Sequence, residues 1–163
     1  MQIISNSVDE TINIGRQISG YLKAGDILCL FGELGSGKTV LAKGIAWGLG
    51  LKKDKIVSPS FVLIREYRQS KLPLYHFDLY RLKSPQEVTS LGYEEYFYNQ
   101  AVTIIEWADK LGYLIPRDSL KIELLVKGNS QRVLKFKACG RRAKELLDKI
   151  ITTFSIHKSI NKR

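Results

Sequence analysis

The sequence predicts an α/β fold of three layers, with a mixed, mainly parallel sheet plus antiparallel hairpins. Residues 26–31 form a near-continuous apolar run, which is typical of a strand buried on both faces of a parallel sheet. A glycine-rich loop, residues 32–39, follows this strand directly and matches the pattern G-x-x-x-x-G-K-[ST]. Strand-type and helix-type segments then alternate along the chain, which favours a layered architecture. Together these observations indicate a P-loop NTPase-like domain.

The chain before the glycine-rich loop predicts one strand and one helix. Residues 1–5 favour a short strand, and Ser7 and Glu10 have the spacing of a capping box that begins a helix. The expected apolar face of this helix consists of Val8, Ile12, Ile18 and Leu22. After the loop, a second helix is expected over residues 38–49 and ends at Gly50.

The middle of the chain predicts a loop, a hairpin, two short helices and a strand. The polar residues 52–60 contain Pro59 and favour a loop, and the β-type runs 61–68 and 72–80 favour a hairpin. Ser84 and Pro85 have the order of a helix cap and first helical residue. The remaining segments are a second short helix at 93–99 and a buried strand at 101–106.

The C-terminal part predicts two antiparallel strands and a long helix. A short helix or turn runs to Gly112, and the strands are expected at 120–126 and 132–138. Apolar residues at helical spacing place the last helix over residues 141–154. We therefore expect one domain, residues 1–156, followed by a basic tail, residues 157–163.

Composition indicates a basic globular protein. The chain has 163 residues and a formal net charge of +10, with an excess of basic residues after Gly140. Such a surface favours nucleic acid, anionic ligands or an acidic protein, although a simple role in solubility is equally compatible with it. The two cysteines, Cys29 and Cys139, form no paired framework, and no segment has membrane-spanning length. We expect a cytoplasmic protein with no membrane partner.

The glycine-rich loop predicts a nucleoside triphosphate site with magnesium. Gly32, Gly35 and Gly37 allow the backbone to curl so that successive amides point at phosphate oxygens. The following helix adds the positive end of its dipole. Lys38 places an ammonium between the outer phosphates, and Thr39 offers a hydroxyl to magnesium. The loop by itself indicates neither the base nor the fate of the terminal phosphate.

Two acids could complete the metal site. Asp78 and Glu106 each end an apolar strand-type run. Ligands of open α/β sheets bind beyond the carboxyl ends of the strands, so an acid that leaves such a strand is well placed to face Thr39 across the metal. His76 lies inside the strand pattern, and we interpret it as a packed or hydrogen-bonded histidine rather than a base.

Four segments of the chain resemble the TsaE family, formerly YjeE, of small bacterial ATPases. They are the phosphate loop at 32–39, Ser-Pro-Ser-Phe at 58–61, His-Phe-Asp-Leu-Tyr-Arg at 76–81 and Ile-Glu-Trp at 105–107. The second segment departs from the usual Ser-Pro-Thr by a serine at position 60, which keeps the hydroxyl. The resemblance implies an ATPase that acts with the proteins TsaB and TsaD to install threonylcarbamoyl on transfer RNA, without transferring the group itself.

The resemblance also implies roles for individual residues. Residues before the first helix, near Thr11, would lie on the adenine side, Arg132 would approach the nucleotide, and residues 58–61 would sense its state. Glu106 would be the second magnesium contact beside Thr39, and Asp78 would contact the metal or orient water. The phosphates would be wrapped by Leu34, Gly35, Ser36, Gly37, Lys38 and Thr39.

Two other functions stay open at the level of sequence. An ATP-dependent small-molecule or nucleotide kinase could use the same core, although no arginine-rich lid is evident after Glu106. A nucleotide-gated binding module or GTPase could share the loop, although the chain has no N/T-K-x-D segment to read guanine. We therefore expect ATP and Mg²⁺ as ligands, with transfer RNA as a possible partner through the complex.

Overall fold

A seven-stranded sheet forms the middle layer of the fold. A computed structural model describes the backbone of residues 1–52 and 55–160 and the side chains of residues 1–52 and 55–155. The strands are β1 (Gln2–Ser5), β2 (Ile27–Phe31), β3 (Ile64–Tyr67), β4 (Leu74–Asp78), β5 (Val102–Glu106), β6 (Ser119–Lys127) and β7 (Gln131–Cys139). Their order across the sheet is β1-β7-β6-β2-β5-β4-β3.

Helices cover both faces of this sheet. The α-helices are α1 (Val8–Ser19), α2 (Lys38–Gly48), α3 (Pro85–Thr89), α4 (Glu94–Phe97) and α5 (Arg141–Ile160), and a 3-10 helix spans Ala108–Leu114. In the part of the chain that the structure describes, no helix is both long and apolar enough to span a bilayer.

The strands pair in parallel at the centre of the sheet and antiparallel at its sides. Parallel pairing joins β6 to β2, β2 to β5, and β5 to β4. Antiparallel pairing joins β1 to β7, β7 to β6, and β4 to β3. The predicted mixed, mainly parallel α/β fold with antiparallel hairpins is confirmed.

Alternating side chains of the central strand β2 contact two different cores. Leu28 and Leu30 face a core that also contains residues of α1, α2 and α5. Ile27 and Cys29 face a second core that contains residues of α3, α4 and the 3-10 helix. Because neighbouring side chains of a strand point to opposite faces, the sheet is the middle of three layers.

Helices α1 and α2 approach each other closely through glycines. A Cβ atom added to Gly44 would lie 2.3 Å from the carbonyl oxygen of Ile12, and one added to Gly15 would lie 2.6 Å from that of Leu41. The two helix backbones therefore pack with no side chain between them at these positions. This contact helps to fix α2, whose first turn belongs to the phosphate loop.

The structure corrects two details of the first and last helices. Val8 is 62% exposed, whereas the buried face of α1 consists of Thr11, Ile14, Gly15, Ile18 and Ser19. Helix α5 continues to Ile160 rather than ending near residue 154. Of the predicted tail, residues 161–163 lie outside the described residues.

Candidate functional site

The phosphate loop connects β2 to α2 at the carboxyl end of the central strands. Gly32, Gly35 and Gly37 have φ values of 139°, 77° and 102°, in the region that favours glycine. Gly37 caps α2 without any side-chain hydrogen bond, so the first amides of α2 keep no side-chain partner there. At Gly32, a Cβ atom would lie 2.5 Å from the carbonyl oxygen of Leu124. The loop thus has the backbone form and the free helix end that an anion site requires.

Lys38 lies inside the loop rather than in solvent. Its side chain is 4% exposed, and Nζ donates hydrogen bonds to the carbonyl oxygens of Gly32 at 2.7 Å and Glu33 at 2.9 Å. Nζ also lies 3.7 Å from the ring centroid of Trp107. Burial lowers the pKa of Lys38 and outweighs the opposite effect of the neighbouring carboxylates, first among them Glu106. The ammonium is therefore a cation that lacks water and favours an anionic ligand.

Glu106 links the start of α2 to the sheet. The hydroxyl of Thr39 donates to Oε2 of Glu106 at 2.6 Å. The imidazole Nε2 of His76 lies 2.7 Å from Oε1 of the same carboxyl. The side chains of His76 and Glu106 are each 1% exposed. Thr39 and Glu106, the two predicted metal contacts, are thus in direct contact with each other.

Asp78 lies directly opposite Glu106 on the neighbouring parallel strand. Its Oδ2 accepts hydrogen bonds from the hydroxyls of Ser58, at 3.2 Å, and Ser60. Its Oδ1 accepts from the backbone amide of Tyr80 at 3.1 Å. The hydroxyl at position 60 is therefore part of the site, and it ties the 58–61 segment to the acid.

A cavity of about 410 Å³ opens over these groups. Trp107, which forms part of its wall, has a φ of 58°, an unusual backbone conformation for a residue other than glycine. Strained backbone of this kind is concentrated at functional sites. The lining consists of Leu34, Gly35, Gly37, Lys38, Thr39, Val40, Ser60, Phe61, Asp78, Tyr80, Arg81, Glu106 and Trp107.

Three of the predicted binding residues lie outside this lining. Ser36 is 1% exposed, and its Oγ is 3.5 Å from the Nζ of Lys38. Arg132 lies in β7, and its Nη2 donates to the carbonyl oxygen of Gly35 at 3.3 Å. Thr11 lies within α1 rather than before it, is 2% exposed, and donates its hydroxyl to the carbonyl oxygen of Ser7. Arg132 therefore contacts the phosphate loop, whereas the hydroxyl of Thr11 is bonded to Ser7 and Ser5.

The outer part of the cavity wall was predicted only in part, because residues 58–61 were assigned to the nucleotide whereas Tyr80 and Arg81 were given no individual role. Phe61 and Tyr80 line the cavity and are 83% and 49% exposed. The guanidinium of Arg81 lies 4.4 Å from the ring centroid of Phe61. Tyr80 and Arg81 lie two and three residues after Asp78, so their place shortly after a strand-end acid was the available signal.

A family model matches most of the chain. Residues 5–134 match the model described as "Threonylcarbamoyl adenosine biosynthesis protein TsaE". A relative named tRNA threonylcarbamoyladenosine biosynthesis protein TsaE, from Bacillus subtilis, is 39% identical over 142 residues, which cover 87% of this chain and 88% of the relative. A protein of the same name from Rickettsia prowazekii is 37% identical over 128 residues, 78% of this chain and 88% of that protein.

A solved structure confirms the likeness in three dimensions. The crystal structure of YdiB from Bacillus subtilis superimposes with a TM-score of 0.82 at 35% sequence identity. The match covers 94% of this chain and 95% of that one. From its sequence, its fold and this match, the chain belongs to the TsaE family.

Proposed function

We propose that the chain is a magnesium-dependent ATPase required for threonylcarbamoyladenosine modification of transfer RNA. In this role it acts with the TsaB–TsaD complex and does not transfer the group itself. The observation that carries the proposal is the hydrogen bond from Thr39 to Glu106 beside the buried ammonium of Lys38. This pairing of a phosphate-loop hydroxyl with a strand-end acid is the arrangement that P-loop NTPases use around a metal.

The loop supplies the contacts for the triphosphate of ATP. The amides of Leu34 to Thr39 and the amino end of α2 bind the phosphate oxygens, and Lys38 neutralises their charge. Arg132 holds the loop through the carbonyl of Gly35, and Thr11 lies in the helix beside the strand that pairs with Arg132. We assign the adenine to the side of the loop on which these two residues lie.

Thr39 and Glu106 are the residues that fit a magnesium ion. Oxygen ligands are what this ion prefers, and the hydroxyl and carboxylate already lie together at the loop. When bound, magnesium would supply charge neutralisation on the transferred phosphate. Asp78 lies beside Glu106 on the cavity wall, and we assign its carboxylate to contacting the metal or orienting the attacking water.

The mouth of the cavity supports the involvement of a protein partner. Leu34, Phe61 and Tyr80 line it and are 74%, 83% and 49% exposed. Clustered exposed apolar side chains mark interaction surfaces. The guanidinium of Arg81 lies against the ring of Phe61, so a partner that contacts Phe61 at the mouth would also reach this cation. We therefore expect slow hydrolysis by the chain alone. We also propose a cytoplasmic location, because the proposed action is on transfer RNA.

An ATPase assay with and without the TsaB–TsaD pair tests this proposal. We expect slow magnesium-dependent release of phosphate by the chain alone and faster release with both partners. Lys38→Ala is the control, because contaminating ATPases would survive that substitution. Rapid ATP hydrolysis without partners would contradict the proposed dependence on the TsaB–TsaD pair. Transfer of label from ATP to a metabolite would instead support a kinase.

A further inference from the structure

His76 is a buried polar residue to which the proposed function gives no role. It lies in the middle of β4, and its side chain is 1% exposed. Its register partner on β5 is Ile104, two residues before Glu106, so His76 and Glu106 share one face of the sheet. Its Nε2 lies 2.7 Å from Oε1 of Glu106. A buried polar group needs such a partner, so this contact is the first explanation for the histidine.

Burial and position exclude contact between His76 and a nucleotide. The residues that line the cavity include Asp78 and Glu106 but not His76. A general base must come within hydrogen-bond reach of the proton that it removes. His76 can therefore influence the site only through the carboxyl group that it touches.

Glu106 is held at both oxygens. His76 contacts Oε1, and the hydroxyl of Thr39 donates to Oε2. The acid that holds magnesium in P-loop NTPases is often the shorter aspartate, whereas glutamate has one more rotatable bond and more rotamers to restrict. Two fixed partners restrict that freedom and leave Oε2 turned toward the start of α2.

We propose that His76 is a positioning residue that holds the carboxyl of Glu106 in the orientation required for magnesium binding beside Thr39. The inference rests on the proposed function, because it assigns the metal to Thr39 and Glu106. Partners that orient the ligands of a metal are a general feature of metal sites, and their loss weakens metal affinity or activity by about 10- to 100-fold.

The affinity for ATP, measured by calorimetry in EDTA and over a series of magnesium concentrations, tests this role. We compare wild type with His76→Leu, which removes the imidazole, and His76→Gln, which keeps a donor near the position of Nε2. In EDTA, we expect His76→Leu to bind ATP with the affinity of wild type. To reach half of the increase in ATP affinity that magnesium gives, this variant should need about tenfold more magnesium than wild type. His76→Gln should recover most of this loss.

Thr103→Val is the matched control, because Thr103 is also buried in the sheet but donates to the carbonyl of Tyr96, away from Glu106. Its magnesium dependence should equal that of wild type, and unfolding curves check that every variant is folded. An unchanged magnesium requirement in His76→Leu, or an equal loss in His76→Gln, would overturn the positioning role. If magnesium does not raise the affinity of wild type for ATP, the result contradicts the proposed metal site at Thr39 and Glu106 itself.

Discussion

At the scale of single residues, Asp78 and Glu106 place two carboxyl groups side by side. They occupy directly opposed positions on β4 and β5, and they are 3% and 1% exposed. Like charges opposite each other in a sheet are unfavourable, and burial adds to the cost. Hydroxyl, amide and imidazole partners satisfy their oxygens, and Lys38 is the nearby cation that both attract. Such a pair favours a site that binds a further cation.

Glu106→Ala and Asp78→Ala should each stop magnesium-dependent hydrolysis while the protein stays folded. Each substitution removes an acid from the metal side of the cavity but also removes the like-charge repulsion between the pair. Phosphate release in the presence of the partners measures the activity, and urea denaturation measures the fold. Full activity in one variant would remove that residue from the metal site.

The sequence predicted those site residues that belong to a local motif or directly end a strand. The motif at 32–39 and the acids at two strand ends were sufficient to place Lys38, Thr39, Asp78 and Glu106 in one site, and the structure brings the four together. The surroundings of Thr11 could not be predicted, because its buried partner Ser5, whose Oγ lies 2.7 Å from the Thr11 hydroxyl, belongs to a different element, β1. The contact from His76 to Glu106 depends likewise on strand register.

At the scale of elements, the contact between α1 and α2 sets the position of the phosphate loop. Gly44 lies against the backbone of Ile12, with neighbouring backbone atoms that cannot rotate away as a side chain could. Replacing glycine by alanine within a helix normally stabilises it by about 1 kcal/mol. Here the added methyl group would instead push two helices apart.

Gly44→Ala should therefore lower the free energy of unfolding by about 1–3 kcal/mol, the usual cost of overpacking. Gly20→Ala is the matched control, since its φ is −64° and its added Cβ would lie 3.4 Å from the nearest atom, the carbonyl oxygen of Gln17. The control should keep or slightly raise the stability. Urea denaturation measures both, and a stabilised Gly44→Ala variant would refute the close packing.

The contact between α1 and α2 also explains why the predicted buried face of α1 was wrong. Periodicity identified the helix, but Val8 is exposed and Ile14 is buried, because the close contact with α2 is centred on Gly15. Apolar residues alone gave no sign of this contact, since the residue at its centre has no side chain. The capping serine was identified correctly, and its Oγ accepts from the amide of Glu10 at 3.0 Å.

At the scale of the whole molecule, the pairing of distant strands could not be predicted from the sequence. The predicted elements and the parallel centre are confirmed, yet β6 pairs with β2 although almost 90 residues separate them. Such pairing follows from the cores on both faces of the sheet rather than from any local pattern. Cys29, on the central strand, reports on the integrity of this arrangement.

A thiol reagent should label Cys139 in the native protein and Cys29 only after unfolding. Cys29 is fully buried, and burial raises its pKa from 9.0 to about 12, so the reactive thiolate is scarce near neutral pH. Cys139 is half-buried at the end of β7. Counting labelled thiols by mass spectrometry, with and without denaturant, checks this. Rapid native labelling of both thiols would mean that the central sheet opens.

The binding of magnesium ATP by the phosphate loop is the central claim, and calorimetric titration of ATP into wild type and Lys38→Ala tests it most directly. Lys43→Ala serves as the control, because Lys43 lies on the exposed side of α2. We predict binding by wild type and Lys43→Ala, and at least about a hundredfold loss in Lys38→Ala, since charged hydrogen bonds contribute about 1.5–3 kcal/mol each. Intact affinity in Lys38→Ala would contradict the site.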